Sequence, residues 1–308
     1  MKRFFYTFFI FLLFVGTSKA QVDPLFFQQT NLRGLINPAA TGKGGDINAS
    51  LTTRQQWIGF SGMSTNAVQV HGFNNEIRSG FGAKFIMDKV GPKETKNVKI
   101  NYAYFVPFDD VAFLSLGMGM GLMNTVHKGG DYFFPDPNEP NDPKIPMQTQ
   151  KKTVNDFDFG VEFNTRNFEI GGAITHITHG WFDQKIGRSM RNFYGYSRYK
   201  APINKYWDFI PGVTWHFNRM QTTYEAIAGV RYNNNFCVNV AYRNPTNLGI
   251  GLGLTVYEGL RLAYSYDSGF DNLSAHNSGS HEITISYNIP MNTSYIRNRL
   301  KFFQWKMF

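Results

Sequence analysis

Between positions 236 and 289 apolar and polar residues alternate with a period of two. Phe236, Val238, Val240 and Tyr242 fall on one face, and Cys237, Asn239, Ala241 and Arg243 on the other. Leu248, Ile250, Leu252, Leu254 and Val256 alternate with Gly249, Gly251, Gly253 and Thr255. The pattern recurs through Leu260, Leu262, Tyr264 and Tyr266, and again through Ile283, Ile285, Tyr287 and Ile289. Successive side chains of a strand point to opposite sides, so four neighbouring strands share one apolar and one polar face. The polar face carries charges and bare glycines, which suits a wet lumen better than a protein core. The apolar face ends in tyrosines, as strands do where hydrocarbon meets headgroups. This predicts an all-β fold, a single-chain antiparallel outer-membrane β-barrel.

The same alternation runs upstream, for example through Phe81, Ala83, Phe85 and Met87, and through Leu114, Leu116, Met118, Met120 and Leu122. Strands are predicted near 47–56, 66–73, 80–88, 96–106, 111–122, 155–164, 167–179, 191–200, 206–217, 223–232, 236–243, 248–256, 260–267 and 281–289. The weakest is 191–200. Bacterial single-chain barrels have an even strand count, short periplasmic turns and longer outer loops. Keeping 191–200 gives fourteen strands and puts the long connections 123–154, 180–190 and 268–280 on one side.

The N-terminus reads as an export signal. Lys2 and Arg3 precede an apolar run over 4–15, and Ser18-Lys19-Ala20 is a cleavage site. The run is too short to span a bilayer. The predicted organisation is a signal peptide over 1–20, a periplasmic segment or plug over 21–45, the barrel over 46–289 and a basic aromatic tail over 290–308.

Composition agrees. The aromatic share is 17%, with 30 Phe and 16 Tyr, and mean hydropathy is only −0.32. A barrel strand needs just every second residue apolar, so low mean hydropathy does not oppose a membrane protein. Removing Lys2, Arg3 and Lys19 with the leader leaves +6 of the formal +9 charge. That excess suits an acidic partner or outer-membrane lipid headgroups, and nothing concentrates it with a nucleic-acid reader motif. The single cysteine cannot form an internal disulfide, and seven histidines without cysteine partners give no zinc spacing. The sequence calls for no cofactor and no metal.

Several short motifs stand in a fixed order. The chain reads Gln21-Val22-Asp23-Pro24-Leu25-Phe26-Phe27-Gln28, then Ile36-Asn37-Pro38-Ala39-Ala40-Thr41-Gly42. Arg54-Gln55-Gln56-Trp57-Ile58-Gly59-Phe60 follows, then Asp88-Lys89-Val90-Gly91-Pro92. Tyr266-Asp267 and Gly279-Ser280-His281-Glu282 stand near the end. This series resembles the PorP/SprF family of type IX secretion system outer-membrane proteins over essentially the whole mature chain. The chain departs from the family pattern at Val22, which is inserted, at Phe27 and Gln29, which replace Ser and Tyr, and at Ala40-Thr41, which replace Tyr-Ala. The resemblance implies a non-enzymatic barrel of fourteen strands in the cell outer membrane. It implies three kinds of partner: a secreted protein with a C-terminal sorting domain, other outer-membrane components of the system, and its periplasmic ring. It also implies a link to gliding motility adhesins. The motif positions Asn37, Pro38, Gly42, Arg54, Trp57, Gly59, Phe60, Asp88, Gly91, Pro92, Gly279, Ser280, His281 and Glu282 are the partner-binding candidates.

Other features carry less. His176 and His179 near Asp183 are the nearest approach to a catalytic rim, and no constellation there rises above chance. His281 and Glu282 fall on opposite faces of a strand and cannot act as a pair. Glu282 should meet a lumenal base such as Arg261 or Arg243. Gly117, Gly119, Gly121, Gly249, Gly251 and Gly253 lie on the lumen face, where they bend strands or make room for another segment. The loop prolines at 135, 137, 140, 143 and 146 fix an extended outer loop, and Lys185, Arg188, Arg191, Arg198 and Lys200 make the following stretch basic. The alternative class on the same fold is a porin or small-solute transporter.

Overall fold

The computed structural model describes residues 23–30, 32–59, 63–108, 112–129, 148–178, 190–219, 221–270 and 277–291. The predicted leader, the tail beyond 291, Phe60, the loop prolines, His179, Asp183, Lys185 and Arg188 lie outside these residues.

Fourteen antiparallel strands follow one another in chain order. They are β1 (Ile47–Gln55), β2 (Met63–Asn74), β3 (Ser79–Val90), β4 (Lys93–Pro107), β5 (Phe113–His127), β6 (Gln150–Asn164) and β7 (Phe168–Thr175). After these come β8 (Asn192–Tyr199), β9 (Trp207–Phe217), β10 (Thr222–Tyr232), β11 (Phe236–Arg243), β12 (Asn247–Tyr257), β13 (Leu260–Gly269) and β14 (Ser280–Ile289). A two-residue piece, Ala201–Pro202, extends β8 along β9. Each strand pairs with the next, and β14 pairs with β1 from Ile47↔Ile289 to Gln55↔His281. The sheet therefore closes on itself and leaves no unpaired edge strand, which hydrocarbon demands of a membrane-spanning sheet. No helix among the described residues is long and apolar enough to cross a membrane.

Burial follows the alternation. On β4 and β5 outward residues such as Ile100, Met118, Met120 and Leu122 are more than half exposed, while Lys99, Asn101 and Ser115 are buried. The barrel is thus apolar outside and charged inside, the inverse of a soluble domain.

All fourteen predicted strands form, with shifted ends. β4, β5 and β6 run to fifteen residues each, beyond the apolar positions that marked them. β7 is shorter than its predicted 167–179 and stops at Thr175, because His176 takes a left-handed φ of 58°. The connection between β5 and β6 shrinks accordingly to 128–149.

Candidate functional site in the barrel lumen

The lumen holds the chain's own N-terminal segment. Residues 26–29 and 32–42 are buried almost throughout. The segment has no long helix or strand, only three 3-10 turns at Phe27–Thr30, Arg33–Leu35 and Pro38–Ala40. Its backbone groups therefore need partners, and the barrel wall supplies many of them.

The segment runs the length of the barrel. Asp23 contacts Thr175, His176 and Tyr194 at the end that carries the long loops. Lys43 lies at the opposite end among Glu162, Asn164 and Glu169, just before β1 begins. The sequence places the segment beside the short turns; in the structure it reaches from the loop end to the turn end.

Three glycine-lined seats receive it. A side chain at Gly249 or Gly251 would overlap the Phe27 ring. One at Gly117 would overlap the Pro38–Ala39 backbone, and one at Gly160 the Asn37 amide. At the third, Gly42 (φ 80°) packs on Gly72 and Gly80 while its N–H donates to His71 Nδ1 at 3.2 Å. Gly119 and Gly121 face their neighbouring strands instead. Asn37 fixes the middle seat. Its Oδ1 accepts from Ala39 N at 2.9 Å and caps the turn, and its Nδ2 donates to Val161 O at 3.2 Å and Tyr196 Oη at 2.7 Å. Pro38 occupies the first position of that turn, where its missing N–H is harmless.

Three charged clusters tie the segment down. At the turn end Glu169, fully buried, meets Arg33, Lys43 and Arg198. Glu162 beside it takes Lys43 at 2.8 Å and the Tyr196 hydroxyl, and Arg33 also lies over the Tyr196 ring at 4.0 Å. Nearer the loop end of β1 and β14, Glu282 accepts the backbone N–H groups of Phe27 and Gln28, both at 2.8 Å. Its cation is Arg54, at 3.4 Å, which also forks onto Asp267 at 2.5 and 2.9 Å. This corrects the expected Arg261 or Arg243, because closure of the barrel sets Arg54 directly opposite Glu282. Arg243 instead bonds Glu225 at 2.7 Å and donates to Phe26 O at 3.2 Å.

The third cluster lies toward the loop end. Lys99 bridges Asp156 at 2.7 Å and Asp158 at 2.5 Å, and Lys84 bonds Asp158 at 3.1 Å and Leu35 O at 2.7 Å. His176 bonds Asp156 at 2.7 Å and Asp23 at 3.1 Å. Burial opposes a charge on His176, which lies past the end of β7. Asp23 and Asp156 outweigh that and raise its pKa to about 9. Three acids then face three cations. Ligand atoms of Asp156, Asp158 and His176 lie within 4.8 Å of one another, a spacing that would suit a metal. Lys84 and Lys99 already neutralise them, so the cluster reads as ionic packing.

Of the remaining motif residues, Trp57, Gly59, Gly279, Ser280 and His281 sit at the loop ends of β1 and β14, and Asp88, Gly91 and Pro92 at that of β3. Trp57 (φ 51°), Gly59 (φ 112°) and Gly279 (φ 78°) use left-handed backbone. Ile58 N donates to Gly279 O at 2.8 Å, Ser278 N to Ile58 O at 2.7 Å, and Trp57 N to Ser280 Oγ at 3.4 Å. The two loops so extend the closing seam. His281 faces outward and bonds Tyr264 at 2.7 Å. Asp88 accepts from Thr65 at 2.6 Å, and Gly91 with Pro92 makes the β3–β4 turn. Sequence reasoning missed Asp23, Arg33, Lys43, Glu162 and Glu169. The two glutamates lie at inward positions of their strands, so parity alone marks them as lumenal.

These features define a closed outer-membrane β-barrel with an ordered, ion-paired interior. The sequence profile described as Type IX secretion system membrane protein PorP/SprF matches residues 18–287, and the chain belongs to that family. No curated protein sequence matches it. Among solved structures, the Ralstonia pickettii toluene transporter TbuX is 10% identical, with 83% of this chain and 92% of that chain covered at a TM-score of 0.51. The Acinetobacter baumannii outer membrane protein Omp33 is 7% identical, with 80% and 100% covered at 0.48. TbuX at that identity shares the fold alone.

Two outcomes test this site. Glu169→Gln leaves three buried cations around a neutral side chain, with an expected loss of about 3–5 kcal/mol. It should lower the thermal midpoint in detergent and speed trypsin cleavage at Arg33 and Lys43; an unchanged midpoint contradicts the assignment. The stabilising charge on His176 is complete below its ordinary value of 6.5 and fades as pH rises through about 9. The gap in thermal midpoint between wild type and His176→Gln should therefore narrow from about pH 6 to about pH 10, and a gap that widens refutes the ion pair.

Proposed function

We propose that this type IX secretion barrel is a docking and assembly platform whose lumen is closed by its own segment at residues 23–45. The observation that carries the reading is the seating of that segment along the lumen on glycines and buried ion pairs. A diffusion pore needs an open, wet constriction, and the charges that would line one are spent on the segment and on one another. At the histidine–carboxylate cluster among the described residues, Lys84 and Lys99 already balance the carboxylates, so binding accounts for the architecture better than catalysis.

The motif residues divide into two groups. Asn37, Pro38, Gly42, Arg54 and Glu282 hold the segment in the barrel. Trp57, Gly59, Gly279 and Ser280, with the Asp88, Gly91 and Pro92 turn, present the ordered loop-end surface for a partner outside the cell. That partner is a secreted protein with a C-terminal sorting domain, and adhesin export in gliding is one use of such a platform. The turn end faces the periplasmic ring components. The porin or transporter alternative rests on fold similarity alone.

A pull-down of the tagged protein from native outer membranes in mild detergent should recover a secreted protein with a sorting domain or periplasmic ring components. In planar bilayers the full-length protein should show little steady conductance. Recovery of the barrel alone together with large constitutive conductance would move the assignment to a porin.

A further inference from the structure

The outward face of the barrel is not uniform at its loop end. On β3, Phe85 and Met87 give way to Lys89 at the next outward position. On β4, Ile100 and Val98 give way to Lys96 and Glu94. β5 passes from Leu122 through Asn124 and Val126 to Lys128 just past its end, and β6 from Phe157 through Asn155 and Thr153 to Lys151. The register joins these positions laterally: Met87↔Lys96↔Asn124↔Thr153, and Lys89↔Glu94↔Val126↔Lys151. Glu94 draws two of the lysines together, Lys96 at 2.9 Å and Lys128 at 3.7 Å. Their side chains remain 47% and 42% exposed. Next to this patch the matching outward positions of β1 and β2 are Thr53, Gln55, Asn66 and Ser64, all uncharged. Four lysines around one glutamate thus form a basic patch on a single flank of the barrel.

Height above the apolar band decides what can meet this patch. One outward step is two residues, about 6.6 Å along a strand and roughly 5 Å along the membrane normal at the usual tilt. Lys89 and Lys96 stand one step above the last apolar residue of their strands, within the headgroup layer of about 5–8 Å. Lys128 stands one step above Val126 and Lys151 three steps above Phe157, and their flexible stems let the ammonium groups reach back toward the interface. A soluble protein meets the barrel from above, whereas this flank is surrounded by lipid. Anionic headgroups are the chemistry at that level, and each lysine near such a surface adds to the attraction.

We propose that Lys89, Lys96, Lys128 and Lys151 bind the phosphate groups of lipid A in the outer leaflet. Glu94 acts as a spacer that holds Lys96 and Lys128 on either side of itself. The site is independent of what the loops and lumen dock. It requires only that the long loops face the cell exterior.

The test uses the full-length protein, delipidated and then offered bisphosphorylated lipid A or the same lipid with its phosphates removed. Wild type should retain the phosphorylated form about tenfold better, as expected for several lysines acting together. Replacing all four lysines (Lys89→Gln, Lys96→Gln, Lys128→Gln, Lys151→Gln) should abolish that preference while the barrel keeps its heat-dependent gel shift. Glu94→Gln removes the one negative charge and should strengthen retention, which keeps the test decisive if the fourfold variant folds poorly. Millimolar inorganic phosphate should not displace the lipid. Equal retention of both lipids by wild type, an unaltered preference in the fourfold variant, weaker retention by Glu94→Gln, or displacement by free phosphate would each overturn the proposal.

Discussion

Charge inside a closed wall governs this structure. A barrel that turns its apolar side chains outward must turn polar ones inward, and here many of those are ionised and buried. Glu162, Glu169, Asp156, Asp158 and Glu282 all have almost no exposure. An unpaired carboxylate in such a place is strongly destabilising, so each needs a cation or a set of donors. The wall supplies some through Lys84, Lys99, Arg54 and Arg198. The N-terminal segment supplies the rest through Arg33, Lys43 and the backbone N–H groups of Phe27 and Gln28. Barrel and segment are therefore one folding unit, each neutralising the other.

This dependence explains why motifs scattered over the chain form a set. Phe27 and Gln28, Arg54, Asp267 and Glu282 lie far apart in sequence and meet in one cluster. Asn37 and Pro38 answer the glycines of β5 and β6, and Gly42 answers those of β2 and β3. The loops of the Trp57 and Gly279 motifs join over the seam between the first and last strands. Most of these residues act on the interior and its closure.

Much of the fold is legible in the sequence, because period-two alternation reports which face of a strand meets lipid. All fourteen strands follow from it, and strand parity supports even the weak β8. The strand ends are less legible. β4, β5 and β6 continue past the apolar band into polar residues, where lumenal and outward positions look alike. Parity also marks Glu162, Glu169 and Glu282 as lumenal. It cannot name their partners, because those depend on closure. Arg54 meets Glu282 only because the first strand pairs with the last. The path of the segment is equally hidden, since Asn-Pro and glycine signal turns without saying which end of a barrel the chain approaches.

Amide hydrogen exchange of the full-length protein in its native outer membrane, read residue by residue over 23–45, tests the central claim most directly. A segment seated in the lumen predicts slow exchange at Phe27, Gln28, Leu35, Asn37 and Ala40, whose N–H groups are bonded within the barrel, at rates close to those of β1 and β14. Exchange at the rates of an unfolded peptide, with the strands still protected, would show a barrel that closes without its segment and would contradict the account.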